Sequence, residues 1–563
     1  MPETYERYIG GESGHRAFFG GPRSGARTWL LAFFVVAGMI GTIFFHVWGL
    51  AFALVGVLVT LALTTRTHNG TWLERHTKRA RWSARKRLGT DRYEPYDVAK
   101  WDQLQAERAE AKGRRAVELD RQINALRANP DGADGMGWLQ YGSNQPGIAW
   151  HSPVGESDYL SVAFSVSGQV RGIESSGHLT RAASAFGRFL AARAGATSLI
   201  RDVQTLTRVL PPDTARHQAW AVTNLEPEDP SWGRETRRIY NEQKASYSEV
   251  IRRTSSDAMV QRHYVTVSWP LTQAFLDAAE KFAPGRDGWR ELMDQQIVQT
   301  IRGLQEARMG KVTVLTARQT AALILHQQNP SMPIDAVRRV DPTQFGLPSH
   351  DEFSAHVVTS YDPTVLGPDE PIGAAPAVEW WHRTAAIRAD NMSVPGRSPL
   401  WALDLLIGKE LDFIRTVSFH LHLVPAADAK SATQRDVVRD QSELISARKA
   451  GRLSSDETEE NLTAAQRRAR DLRPGSHHHG VEWIGYVTVT APSRGELAQA
   501  CRQLADVCDT SLGINRLEWQ DSYQAAASGT AWPIGRGLKP SAPEFASRVI
   551  TRLAGRSEKE AIS

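Results

Sequence analysis

Cysteine is almost absent: 563 residues hold two, Cys501 and Cys508. They fall seven apart on a segment that reads as a helix, about 10 Å along its axis. A disulfide cannot reach that far, so both read as small core residues in a reducing compartment. Several motifs are missing too. No GxxxxGK[ST] loop occurs; the nearest string, Gly20-Gly21-Pro22-Arg23-Ser24-Gly25, lacks the lysine and a preceding strand. There is no HExxH, no paired CxxC and no GxSxG. Phosphate-loop, zinc-protease and serine-hydrolase chemistry therefore have no visible site.

The remaining polar clusters are weak candidates. His477-His478-His479 lies between Pro474-Gly475-Ser476 and Gly480, a turn composition. Adjacent histidines on an extended loop cannot all converge on one ion, so the cluster reads as a polar loop. His420 and His422 share a strand face, but no third ligand is assignable and they too read as surface. Asp369-Glu370 and the trio Glu457, Glu459, Glu460 read as solvated. The seventeen tryptophans, Trp380, Trp381 and Trp532 among them, suit core and interface packing. No catalytic, cofactor-binding or metal-ligating residue is assigned, and a non-enzyme is expected.

One long stretch lacks charge altogether. Residues 28–64 carry no Asp, Glu, Lys or Arg. That is nearly twice the roughly 20 apolar residues of one spanning helix. It softens at Phe45-His46-Val47-Trp48-Gly49, where a tight turn fits. The expectation is a transmembrane helical hairpin. Nine Lys or Arg between Arg66 and Arg92 oppose only Glu74 and Asp91. By the positive-inside rule both termini are expected in the cytoplasm, with a multi-pass inner-membrane location. The basic stretch is expected to lie on anionic headgroups of inner-membrane lipids. The apolar run is too long for a signal peptide, and no small-residue cleavage site follows it.

The rest is of ordinary composition, 41% apolar and 23% charged with net charge +5. The excess positive charge sits beside the apolar run, so direct nucleic-acid binding is not expected. A polar helix is predicted over 98–127, with a narrow stripe of Leu119, Ile123 and Leu126 suited to packing on a second helix. Residues 136–153 read as Gly-rich and irregular. Period-two alternation marks strands at 159–166, 198–209, 263–269, 311–316, 413–423, 481–490 and 513–519, with helices at 178–193, 271–282, 289–307 and 494–509. A charged helical insertion occupies 427–472, restarting at Ser454 and Glu457, a capping-box pair. A weak internal echo pairs 175–204 with 491–520.

These readings give an α+β fold class: an N-terminal transmembrane helical hairpin, then two ferredoxin-like α+β subdomains with a long helical-hairpin insertion. The expected divisions are a cytoplasmic segment 1–27, the hairpin 28–64, a basic and polar helical segment 65–135, a first α+β domain 136–345, a second 346–540 and a tail 541–563.

Residues 497–538 place a helix, a short strand with Gln520, and a helix before Trp532-Pro533-Ile534-Gly535-Arg536-Gly537-Leu538. With the apolar hairpin, this resembles a PrgI-type membrane subunit joined to the non-ATPase N-terminal region of conjugation ATPases of the TraC/TrbE kind. The chain stops about where that family's motor would begin, so motor function is not implied. Tyr264-Val265-Thr266-Val267 and the stretch 312–323 are similar to EccE-type subunits of actinobacterial type VII secretion systems. Both resemblances imply a non-catalytic integral membrane subunit of a conjugation (type IV-like) or type VII secretion machine. Its expected partners are other subunits of an oligomeric assembly and a separate ATPase that it docks. The alternatives are a membrane-bound enzyme or ATPase relic, and a membrane-tethered regulator of a soluble partner.

Overall fold

The computed structural model describes 16–17, 21–22, 25–64, 72–153, 157–168, 175–212, 231–256, 259–332, 340–352, 354–359, 378–392, 401–407, 411–449 and 479–537, with isolated residues between. The described residues divide into two compact units, one within 86–537 and one within 16–85.

In the smaller unit the charge-free run folds as α1 (Gly25–Phe45) and α2 (Val47–Thr64), reversing at His46 with φ 50°. Small residues let the helices close. A Cβ on Gly49 would stand 2.3 Å from the Gly41 backbone, and one on Gly38 2.2 Å from the Ala53 side chain. Phe33, Met39, Ile43, Phe44 and Trp48 face outward. Yet among the described residues no helix is long and apolar enough to cross a membrane. Side chains are described over 30–44 and 47–63. That is about 22 and 26 Å of axis, against the roughly 30 Å of a hydrocarbon core. The expected transmembrane hairpin therefore does not stand. Nor do the multi-pass inner-membrane location with both termini cytoplasmic and the membrane assignment that rested on it. The basic stretch forms α3 (Trp72–Leu88).

The larger unit is α+β, built on one 14-stranded mixed sheet. Its strands are β1 (Arg92–Pro95), β2 (Leu126–Arg127), β3 (Met136–Gln140), β4 (Ile148–His151), β5 (Tyr159–Val166), β6 (Asp202–Leu210) and β7 (Val260–Pro270). They continue as β8 (Val312–Val314), β9 (Ser349–Asp351), β10 (Ala355–Thr359), β11 (Val378–Ile387), β12 (Ile414–Val424), β13 (Gly480–Ala491) and β14 (Glu518–Trp519). Across the sheet they run β2-β1-β9-β10-β11-β13-β12-β6-β7-β5-β4-β3, with β8 on β5 and β14 on β11. Among the described residues only β1 and β2 pair in parallel.

Two halves of this sheet share one connectivity. In the first, β5, α6 (Ser176–Arg193), β6, β7, α8 (Gln273–Glu280) with α9 (Arg286–Glu306), and β8 lie in the order β8-β5-β7-β6. In the second, β11, α11 (Leu403–Ile407), β12, β13, α13 (Arg494–Thr510) and β14 lie in the order β14-β11-β13-β12. Each is a split β-α-β pair. Each also carries an extra helix between its second and third strands: α7 (Arg234–Ser256) in the first and α12 (Ala426–Lys449) in the second.

The halves join where β6 and β12 pair antiparallel, from Asp202↔His422 to Val209↔Arg415. The expected boundary at 345/346 thus divides topological halves of a single hydrogen-bonded sheet. The true correspondence matches β5 to β11 and β7 to β13. The echo of 175–204 with 491–520 instead paired α6, after a first strand, with α13, after a third.

Local chemistry explains most elements. β12 and β13 alternate by side chain, so Val417, Val487 and Val489 reach a core with Leu497, Leu504, Cys501 and Cys508 of α13. In the first half Phe164, Val267, Trp269, Phe275 and Met293 do the same. Each such side chain contributes about 1.5–3 kcal/mol by burial. Ser175, Thr272 and Ser493 cap their helices, and Thr316 with Gln319 makes a full capping box for α10 (Ala317–Gln328).

Two sequence expectations are corrected here. The single helix over 98–127 is α4 (Val98–Glu110) and α5 (Gly113–Ala125). Gly113 takes φ 61° at the break, and Leu104 closes on Leu119 and Leu126. The stretch 136–153, expected to be irregular, supplies β3 and β4; their Ala149, Ile148 and Trp150 extend the sheet edge.

Candidate docking arm and the buried polar seam

The expected strand at 413–423 has polar residues Thr416, Ser418, His420 and His422 on one side. A half-buried sheet would turn that side to water. Here it is covered instead. Thr416, Ser418, Gln204, Thr266, Ser268, His382, Thr384, Thr488 and Thr490 are all buried. The cover includes α10 and the residues after α14 (Gln524–Ser528).

Gln204 organises the centre. Its amide nitrogen donates to Ser418 Oγ (3.0 Å), Thr530 O (3.1 Å) and Trp532 O (2.9 Å), while its Oε1 accepts from Gly535 N–H (2.9 Å). His420 Nε2 donates to Thr530 O (2.8 Å), and Tyr159 donates to Ile534 O (3.3 Å). Arg536 forks onto Asp134. The strap 529–537 is thus held by both halves of the sheet. Gly535 takes φ 70° here, and a Cβ would stand 2.2 Å from Ser268 Oγ. His382 holds the other flank, Nε2 donating to Gln328 O (2.8 Å) and Nδ1 accepting from Thr490 Oγ1 (2.9 Å).

Burial sets the ionisation of this layer. It pushes His382 and His420 down to about 4, and His151 to about 3 with help from Arg536. All three are neutral hydrogen-bonding residues at physiological pH. His420 therefore faces inward, and only His422 is at the surface. There it pairs with Asp202 (2.8 Å), whose hydrogen bond raises its pKa. The two histidines do not converge on a common ligand. Burial raises the Cys501 and Cys508 thiols to about 11 and 12, which makes them inert. Both are free and buried.

Of the histidine trio, His477 and His478 lie outside the described residues. His479 Nδ1 accepts from Ala426 N–H (3.1 Å), the first amide of α12. An orphan amide of the helix start thus finds a partner on the returning strand. The helix base is anchored, since Ala429 and Thr433 are buried and a Cβ on Gly480 would stand 2.6 Å from the Ala429 side chain. Farther out, Val438 is 67% and Ile445 53% exposed. The rest of the insertion, 450–465 with Ser454 and Glu457, lies outside the described residues. So do Asp369, Glu370, Glu459 and Glu460.

Among the described residues no group of three His, Cys, Asp or Glu could hold a metal ion. Sequence reasoning missed Gln204, which sits in a strand and whose meaning depends on the strap that crosses it from far along the chain. No family model matches this chain, and no curated protein matches it.

Proposed function

We propose that this chain is a non-catalytic subunit of a multiprotein conjugation (type IV-like) or type VII secretion machine, and that its α12 arm docks a separate ATPase. The observation that carries this reading is the arm itself. It is anchored at Ala429, Thr433 and His479, then leaves Val438 and Ile445 exposed on a charged helix. Exposed apolar residues on an inserted helix suit a helical partner's groove, with the surrounding charges setting register. The absence of a phosphate loop from the sequence favours a docked motor over an intrinsic one.

Copurification from the native host tests it. The tagged full chain should bring down an ATP-hydrolysing protein and further machine subunits. Recovery of one soluble partner without ATPase activity would instead mark a regulator, and the proposal would fail.

A further inference from the structure

One border of β5 carries two strands end to end. β4 pairs with Tyr159 to Ser161, and β8 pairs with Phe164 to Val166. β3 lies outside β4, but among the described residues no strand lies outside β8. The sheet therefore has a notch in line with β3. The register says which backbone groups face it. Ser167 N–H donates to Lys311 O (3.1 Å) and Leu315 N–H to Ala163 O (2.9 Å). Residues 311, 313 and 315 thus turn their backbone to β5, and Val312 and Val314 turn theirs into the notch. There these outward amides and carbonyls make no hydrogen bond with the rest of the chain.

The same register opens a side-chain cleft beside the notch. Thr313 stands opposite Ser165, and Ser165 opposite Tyr264, so three hydroxyls form one row across the sheet. They line a cleft of about 220 Å³ whose aliphatic wall includes Leu315, Leu323 and Ile334. Arg262 and Asp335 also line it, but they are forked onto each other (3.0 and 2.9 Å) and offer no free charge. What remains is neutral: the hydroxyls of Ser165 and Thr313, and the Gln319 amide. Gln319 Oε1 already accepts from Thr316 N–H (2.9 Å), which leaves its NH₂ as a donor. An aliphatic occupant would bury these groups unsatisfied, and a carboxylate would meet Asp335. A carboxamide supplies acceptor and donor together. Outside the cleft, Lys311 lies on the face of Thr313 by period two. Lys311 and Arg308 are both exposed and have no acid partner among the described residues.

We propose that β8 accepts an extended segment of a partner protein as an added antiparallel strand, with a Gln side chain in the cleft opposite Thr313 and an acid opposite Lys311. The segment then reads Gln-x-Glu. Main-chain hydrogen bonds to Val312 and Val314 hold it, and the two side chains select it. A residue directly opposite Thr313 starts about 4.5–5.5 Å away, Cβ to Cβ, within reach of the cleft. A lysine at a sheet edge discourages indiscriminate pairing, and an acid opposite it lifts that penalty. The inference is independent of the docking reading for α12.

Fluorescence anisotropy of a labelled peptide, Ser-Thr-Val-Gln-Val-Glu-Val-Ser, titrated with the full chain tests it. Binding should be saturable, with Kd below about 1 mM. N-methylation of either valine beside the Gln removes an N–H that bonds the edge, and should weaken binding at least tenfold. N-methylation of the Gln itself, whose N–H points away, should not. A Gln→Leu peptide should bind at least fivefold more weakly. On the protein, Val314→Pro removes an outward N–H and no bond to β5, and should weaken binding at least tenfold. If Val314→Pro does not fold, the exposed Lys311→Glu replaces it: this variant should prefer the peptide with Lys in place of Glu. No saturable binding by 1 mM, or equal losses from N-methylation at the Gln and at the valines, would overturn the added strand. Unchanged binding to Val314→Pro, or the parent peptide still preferred by Lys311→Glu, would overturn its place on β8. A Gln→Leu peptide that binds as tightly as the parent would overturn the carboxamide assignment.

Discussion

Gln204 is the residue whose loss should be felt most widely for its size. Replacing it by Leu keeps nearly the same volume but removes every hydrogen bond it makes to the strap. Thr530 O would keep its bond from His420. Trp532 O would keep its bond from Ile534 N–H. Gly535 N–H has Gln204 as its partner in the seam. One partly buried backbone donor left unsatisfied costs about 1–3 kcal/mol, so Gln204→Leu should lose about 1–3 kcal/mol. If the strap opens locally before the sheet does, the loss in global stability is capped at the opening energy. Urea unfolding reads the first effect, and amide exchange at Gly535 reads the second, where protection should fall at least tenfold. Gln103→Leu, an exposed glutamine paired with Glu107, should stay within about 0.5 kcal/mol. If Gln204→Leu matched that control in both assays, the strap would not be held as argued.

Three further outcomes are expected. His151, His382 and His420 have folded pKa values depressed below 6.5, so the unfolded chain binds more protons as the medium acidifies. Stability should be full above about pH 6.5 and fall as pH drops toward 4; His382→Gln should flatten part of that slope in a Tm–pH series. Replacing 427–472 by a short Gly-Ser linker should preserve cooperative unfolding, because loop closure costs little; a loss of cooperativity would place the arm in the core. Calorimetric titration of the full chain with ATP should show no micromolar binding, as expected without a phosphate loop.

Much of the sheet was legible because alternation survives in sequence. Strands 159–166, 263–269, 413–423 and 481–490 were placed within a few residues, as was the helix of Cys501 and Cys508. What was hidden is informative. The strand β11 begins Val378-Glu379-Trp380-Trp381-His382, without clean alternation, and its later residues Thr384 to Ile387 are buried on both faces. Such burial explains His420 as well: a polar side of a strand reads as solvent-facing until a strap from more than a hundred residues away lies on it. The hairpin turn at His46 was legible, but among the described residues neither helix is long and apolar enough to cross a membrane. The buried Arg208 gave no signal at all, since its place opposite Arg262 depends on the pairing of β6 with β7.

The docking claim is tested most directly by photo-crosslinking from the arm. A photoreactive residue replaces Val438 in the full chain in its native host, with a second at the surface position Val117 as control. The account predicts a crosslink from position 438 to an ATP-hydrolysing protein and none to it from position 117. Crosslinks from 438 confined to this chain's own sheet, with an ATPase still copurifying, would contradict it.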